Sequence, residues 1–459
     1  MWTQKDQIQA YQFLRRRLVS ALVSADANHP VSPSKRLLLG TGIGLAVALI
    51  VSAVFGIIGL LTPSRAEEWR QGGQVIMEKE TGARFILGQD GALHPVLNYA
   101  SARLLAGGDG GKTVTVPAKT LRDVPRGAGA GIVGAPDSLP QNDRLRAGPW
   151  TSCTRLSADR PAGDEPISTV LLGQEFAGPP LPDGAAILAR LRSGERFVIT
   201  GGHRHRLADD RAVVALGYAS ADSVTVAPTW LNTIPAGRDL ATIDVQRSGA
   251  PGPAVGRAAT RIGQVLVSGA EEFYLVRGDG LAVISGTEAA LVLGSPASVA
   301  AYPDARPRPI PLPAADIAAA PRSAERADGY PRRRPEPVGV QPTTTLCATG
   351  ARITIGTGLP LPSGAKPHSV PQSAGAAAEV YVPGGAGAVV AEEPAPGAAS
   401  GTTYLITDTG QKYPLSGDEA IKALGYGRVS RPGVPAAVLA LFPTGPTLDP
   451  AQARRTVGS

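Results

Sequence analysis

The sequence predicts a membrane-anchored α+β protein. It would carry an N-terminal amphipathic helix, one transmembrane helix, and an elongated β-rich extracytoplasmic domain in which a central β core carries four small strand-helix modules. Three observations predict this. Leu37 to Leu61, LLLGTGIGLAVALIVSAVFGIIGLL, has no ionisable side chain, and about 20 apolar residues suffice for a helix to cross a bilayer's hydrocarbon core. The chain holds 56 Gly and 42 Pro in 459 residues with aromatics at only 5%, which suits short strands and turns better than long soluble helices. One pattern of strand, Gly turn, strand, helix and Pro recurs after the apolar segment.

The first 36 residues read as a cytoplasmic segment. Thr3 and Asp6 have the spacing that caps a helix start. Behind them Ile8, Tyr11, Leu14 or Arg15, Leu18 and Leu22 return at three- and four-residue steps, the mark of an amphipathic helix. Its docking residues would be Tyr11, Leu14, Arg15, Arg16, Arg17 and Leu18. They suit a cytoplasmic partner, or membrane lipid through the Arg15 to Arg17 cluster; a solvated helix leading into the membrane is the plainer alternative. His29, Pro30 and Pro33 are expected to break the helix before the span.

Within the span, Gly40, Gly44, Ala48 and Ser52 fall at four-residue steps, a spacing that lets another helix approach closely. Small residues are also common throughout this chain. Lys5, Arg15, Arg16, Arg17, Lys35 and Arg36 precede the span against Asp6 and Asp26, whereas Arg65 and Arg70 after it are matched by Glu67 and Glu68. Positive residues stay inside, so the N-terminus is expected in the cytoplasm. The run is longer than a signal h-region and starts some 36 residues in, as an uncleaved anchor would.

The recurring unit is led by Phe85-Ile86-Leu87, Phe197-Val198-Ile199, Phe273-Tyr274-Leu275-Val276 and Tyr404-Leu405-Ile406. Each is followed by a Gly turn, a second strand and a helix ending near Leu105, Leu216-Gly217, Leu293-Gly294 or Leu424-Gly425. His94-Pro95 and Tyr413-Pro414 take equivalent places. An insertion is expected in the third copy near Ala301 to Pro311. The expected organisation is repeat 1 at 62–140, a core segment at 141–192, repeat 2 at 193–245 and repeat 3 at 246–321. A linker and second core segment at 322–400, repeat 4 at 401–450 and a tail at 451–459 complete it.

Each intervening segment holds one cysteine, Cys153 and Cys347, with β-like runs at Thr169 to Leu172, Ile187 to Ala189, Ile353 to Ile355 and Glu379 to Val382. The economical reading is a central β domain built from separated segments and closed by a Cys153–Cys347 disulfide; two buried free thiols are the alternative. Arg322 to Pro342, rich in Arg and Pro, reads as an exposed linker or extended arm.

The opening TQKDQIQAYQFLRRRLVSALV, the single span, the PVLNYASARL segment, the four copies and the paired cysteines together resemble the EccB subunit of actinobacterial type VII secretion systems. The resemblance covers essentially the whole chain. It implies a periplasmic domain with four repeats about a disulfide-closed core, and assembly with an EccC motor ATPase, EccD and EccE into an inner-membrane complex. That complex would export small helical WXG-type proteins. Family members are sometimes labelled ATPases.

Chemistry-bearing motifs are sparse. Gly107, Gly110, Gly111, Lys112 and Thr113 approach a phosphate loop, but Ala106 stands where the first Gly belongs, and the segment runs from a helix to a strand instead of strand to helix. A glycine-rich loop is the simpler reading. His203, His205, Asp209 and Asp210 suggest a metal set or, more simply, a polar hairpin turn. The Ser32-x-x-Lys35 match sits beside the membrane as a helix-start turn. The net charge of +7 is spread among Asp and Glu, with no basic stripe interleaved with aromatics, which excludes nucleic acid as a partner. No catalytic set, metal or cofactor is implied. The expected function is a structural scaffold subunit with homo-oligomeric contacts through its outer domain; the alternatives are an extracytoplasmic ATPase and a cell-wall-binding anchor.

Overall fold

The computed structural model describes residues 3–24, 33–61, 68–108, 111–156, 166–269, 271–325, 329–341, 343–370, 375–395, 397–399 and 401–456. They form two compact units, Met1–Gln71 and Gly72–Ser459.

The first unit holds α1, Gln4–Ser24, and α2, Pro33–Leu61. At the start of α1 the Asp6 carboxylate accepts from the Thr3 N–H at 3.1 Å and from the Thr3 hydroxyl at 2.6 Å. Those bonds hold the carboxyl below its ordinary value. Pro33 does not end a helix: it opens α2, a first-turn place where its missing N–H costs nothing. His29 and Pro30 lie outside the described residues. Within α2, Leu38–Ile58 is long and apolar enough to cross a membrane and is wholly exposed.

The second unit contains four small sheets around a central one. The first comprises Val75–Glu78, Arg84–Leu87, Leu93–Pro95 and Thr113–Val116. Its spatial order is third, second, first, fourth; the first three strands are antiparallel, and the fourth runs parallel to the first. The second sheet (Ala185–Arg190, Arg196–Thr200, His203–Leu207, Val224–Thr225), the third (Val265–Ser268, Glu272–Val276, Leu281–Ile284, Ile310–Pro311) and the fourth (Ala388–Glu393, Thr403–Ile406, Lys412–Pro414, Gly433–Pro435) have the same order, and the second carries a fifth strand, Glu336–Pro337, parallel to the start of its first. A parallel fourth strand requires a crossover. In each sheet a helix supplies it: Tyr99–Ala106, Asp210–Ala215, Gly286–Leu293 and Asp418–Ala423. Asn98, Asp209 and Ser285 cap the first three by accepting a backbone N–H three residues on, satisfying a donor the helix leaves free.

The aromatic-led strands are therefore the second of each sheet. Ile187–Ala189, expected in the central core, instead pairs with Phe197–Ile199 as the first strand of the second sheet. In the third sheet the extra residues before the fourth strand include the 3-10 helix Pro296–Ala301.

Each small sheet is closed by the same backbone ladder. Leu93 N–H donates to Pro125 O at 2.7 Å and Gly127 N–H to Leu93 O at 3.0 Å. Arg204, Pro235 and Gly237 repeat this at 2.9 and 2.9 Å; Leu281, Pro321 and Ser323 at 2.8 and 3.0 Å; Lys412, Pro443 and Gly445 at 3.0 and 2.8 Å. The residue after the ladder's strand member is His94, His205, Ala282 or Tyr413. Wherever it carries a ring, the opposed position is glycine. A Cβ there would stand 2.5 Å from His94 Nδ1, 2.6 Å from His205 Nδ1 or 2.6 Å from Tyr413 Cδ1. Where it is Ala282, Ser323 takes the glycine's place.

The central sheet runs Arg352–Gly356, Thr345–Thr349, Trp150–Arg155, Ile167–Leu172, Glu379–Tyr381, His368–Ser369. Val170, Leu172 and Val380 pack with Val390 and Phe442 of the fourth sheet's portion of the chain, and Leu346, Ala348 and Ile353 with Ile187 and Trp230 of the second. The first and fourth sheets share a core through Ala100, Leu104, Leu405 and Leu424. The second and third meet where Leu291 packs among Ala212 and Leu216.

Candidate functional site

On α1, Tyr11, Leu14 and Leu18 are all exposed, as are Arg15, Arg16 and Arg17. At about 100° per residue, Ile8, Tyr11, Leu18 and Leu22 share a stripe with Arg15 inside it. Phe13 falls on the opposite side and is also exposed, with the Arg17 guanidinium 5.7 Å from its ring centre. Sequence periodicity passed over Phe13 because it lies off the stripe. On α2, Gly40, Gly44, Ala48 and Ser52 are exposed, and nothing stands within 4 Å of a Cβ placed at Gly40 or Gly44.

The glycine-rich loop leaves the helix Tyr99–Ala106 and enters the strand Thr113–Val116. A phosphate loop needs the reverse order, with the following helix aiming its N–H groups at the phosphate. Gly107 and Gly111 adopt φ of 68° and 59°, and Lys112 O accepts from Val75 N–H at 2.9 Å. The loop thus carries the chain from helix to strand, and Lys112 begins the pairing of the fourth strand with the first. Gly110 lies outside the described residues.

His203 and His205 share a face of their strand, with ring centres 6.4 Å apart. His205 is buried, and its Nδ1 lies 2.8 Å from Arg238 O. Burial lowers its pKa despite that bond. Asp209 accepts from Ala212 N–H at 2.6 Å and from Thr242 N–H at 3.0 Å; burial raises its pKa, but these bonds outweigh it and the net shift is downward. Asp210 pairs with Arg196. The four residues thus serve a ladder, a helix cap and an ion pair. Among the described residues no group of three or more His, Cys, Asp or Glu is arranged to hold a metal.

Cys153 and Cys347 form a disulfide between directly opposed residues of neighbouring central strands, with Cα atoms 4.0 Å apart and a sequence separation of 194. Both are fully buried, packed with Leu171 and against Phe176 and Tyr381.

Arg322 to Pro342, expected as an exposed linker or extended arm, is mostly exposed in its described residues, and its stretch 329–338 is a strap pinned through the backbone. Gly286 N–H donates to Arg332 O at 2.9 Å, Glu336 N–H to Gly184 O at 2.8 Å and Val338 N–H to Ala186 O at 2.8 Å. The buried Tyr218 hydroxyl donates to Pro335 O at 2.7 Å. Its counterpart in the fourth sheet, Tyr426, donates to Pro140 O at 2.8 Å. Composition hid the strap because a run rich in Arg and Pro reads as a linker, whereas what holds it is backbone pairing.

Comparison with known proteins covers the whole chain. Residues 1–458 match the family model described as type VII secretion system ESX-1, transport TM domain B. The ESX-3 secretion system ATPase EccB3 of Mycobacterium tuberculosis is 28% identical, over 98% of this chain and 88% of its own length. The ESX-1 secretion system ATPase EccB1 of that species is 26% identical, over 97% and 93%. A chain of an intact ESX-5 inner membrane complex shares the fold with a TM-score of 0.67 at 24% identity, covering 100% of this chain and 96% of that one. A chain from an EccB3 dimer of the ESX-3 core complex matches at a TM-score of 0.67 and 25% identity, covering 83% and 100%. With the family model matched from end to end, this chain belongs to the EccB family, the membrane components of ESX type VII secretion complexes.

Proposed function

We propose that this chain is a non-catalytic scaffold of a type VII secretion membrane complex, supporting export of small helical WXG-type proteins. The observation that carries the reading is the family match over residues 1–458. In this reading the N-terminus is cytoplasmic, α2 spans the membrane once, and Gly72–Ser459 is extracytoplasmic. The charge asymmetry around the span supports that orientation. Exposed Tyr11, Leu14 and Leu18 with Arg15, Arg16 and Arg17 make α1 the docking element for EccC-, EccD- and EccE-type subunits. Gly40, Gly44, Ala48 and Ser52 form the packing face of the span. The four small sheets are copies of one module, a reading supported by their shared strand order and ladder. Contacts between copies of the outer domain are supported by the EccB3 dimer to which the chain is similar.

The experiment is co-purification of tagged full-length protein from membranes, beside a variant lacking residues 2–30. Recovery of wild type with secretion subunits, and their loss from the truncated variant, is expected. Recovery of wild type as a lone monomer refutes the scaffold reading.

A second reading, ATP hydrolysis, is favoured by the names of the EccB3 and EccB1 relatives, which call them ATPases. The loop Gly107 to Thr113 is its candidate site. Turnover by the purified protein that disappears in Lys112→Ala supports it; turnover unchanged by Lys112→Ala removes this loop from consideration.

A further inference from the structure

Between the second small sheet and the 329–338 strap lies a cavity of about 840 Å³, within the size range of ligand sites. Its walls include His203 and His205 from one strand, Arg238 from the loop that closes that sheet, and Tyr330 and Arg332 from the strap; Asp183 is the carboxylate on the wall. Arg333 also reaches the cavity, but its Nε pairs with Glu271 at 2.6 Å. Arg332 has no ion-pair partner among the described residues.

The strap does not need these arginine side chains to stay in place. It is held by backbone bonds from Gly286, Glu336 and Val338 and by hydroxyl bonds from Tyr218 and Thr287, the last donating to Arg333 O at 2.8 Å. The Arg238 guanidinium lies 4.6 Å from the Tyr330 ring centre, an arrangement that keeps a planar fork oriented. The Arg238 and Arg332 guanidinium groups therefore line a cleft whose one lining carboxylate is Asp183; Glu288 acts on Arg238 from outside the lining, and the His205 ring, kept neutral by burial, adds no charge. Low-dielectric walls focus such a field, and guanidinium forks suit phosphate and carboxylate oxygens.

We infer that this cleft binds a polyanion bearing phosphate or carboxylate groups, and that the bound anion bridges Arg238 of the second sheet to Arg332 of the strap. Binding would then tighten the strap. The inference is independent of the scaffold reading.

The test uses full-length protein in nanodiscs of uncharged lipid, with inorganic tripolyphosphate as the first probe. Calorimetry measures affinity, and hydrogen exchange measures protection of 329–338. The expected result is saturable one-to-one binding that slows exchange in the strap, weakens at least tenfold in Arg332→Glu, and is unchanged in Arg306→Glu, an exposed charge outside the cleft. Melting temperature confirms that both variants are folded. Poly(glycerol phosphate), citrate, and vesicles containing phosphatidylglycerol then separate a polymer, a small carboxylate and a lipid headgroup as the source. No saturable binding by any probe up to millimolar concentration, or equal loss in Arg332→Glu and Arg306→Glu, overturns the inference.

Discussion

Gly237→Ala tests the ring-on-glycine ladder directly. Gly237 has an ordinary backbone conformation, so a methyl group there meets no torsional objection; it meets the His205 ring, with Nδ1 2.6 Å from the new Cβ. The ring must move or the 235–238 backbone must retreat. Overpacking of this kind costs about 1–3 kcal/mol. If the ring moves it also forfeits the buried bond to Arg238 O, worth about 1 kcal/mol. A loss of about 2–4 kcal/mol follows. In a His205→Ala background the obstacle is gone, and the same substitution should become neutral or favourable by about 0.4–1 kcal/mol through the stiffer unfolded chain. Denaturant unfolding of the four proteins of this double-mutant cycle reads the coupling. A sign change between backgrounds is expected. Additive effects, within about 0.5 kcal/mol, would refute the claim that the ring dictates the glycine.

Three further outcomes follow from described contacts. Cys153→Ala with Cys347→Ala releases a loop closed across 194 residues; destabilisation of about 2–5 kcal/mol is expected by the chain-entropy account, and two alkylatable thiols in the wild-type protein would defeat the premise. His205 has a native pKa below 6.5 because burial disfavours its charged form, so its share of stability is intact above pH 6.5 and declines as pH falls from there through the lowered native value. His205→Asn should flatten that decline in unfolding free energy measured against pH, and an unchanged slope counts against His205 as its source. Tyr218→Phe removes the hydroxyl bond to Pro335 O; a stability loss of about 1–2 kcal/mol with faster exchange in 329–338 is expected, and unaltered exchange would show that the strap does not depend on it.

The long apolar helix Leu38–Ile58 was legible because an uninterrupted apolar run admits few other structures. The aromatic-led strands were legible from their β-branched and aromatic content, and the module helices from their Leu-Gly ends. The first strand of each small sheet was not assigned to it, and Ile187 to Ala189, though read as β-like, was placed in the central core. Ala185–Arg190 is buried on both sides except at its end, so it lacks the alternation that marks a half-buried strand. The parallel fourth strands were hidden by shortness: Val224–Thr225 and Ile310–Pro311 are two residues each. In the cleft, His203 and His205 stood out in sequence, but Arg238, Tyr330 and Arg332 did not. Nothing local in a sequence says that residues nearly a hundred apart share a cavity; the strap's backbone pairing decides it.

The central sheet also has a consequence for the order in which the protein can be built. Trp150–Arg155 lies between Ile167–Leu172, its near neighbour in sequence, and Thr345–Thr349, made much later. The first and third small sheets, and the second apart from its Glu336–Pro337 strand, close on local contacts, which form early because little chain must be looped. The middle of the molecule cannot be completed until Glu379–Tyr381 has joined Ile167–Leu172. A chain ending between 338 and 345 should therefore present the first three small sheets beside an unfinished centre, with the edge of Trp150–Arg155 still awaiting its partner.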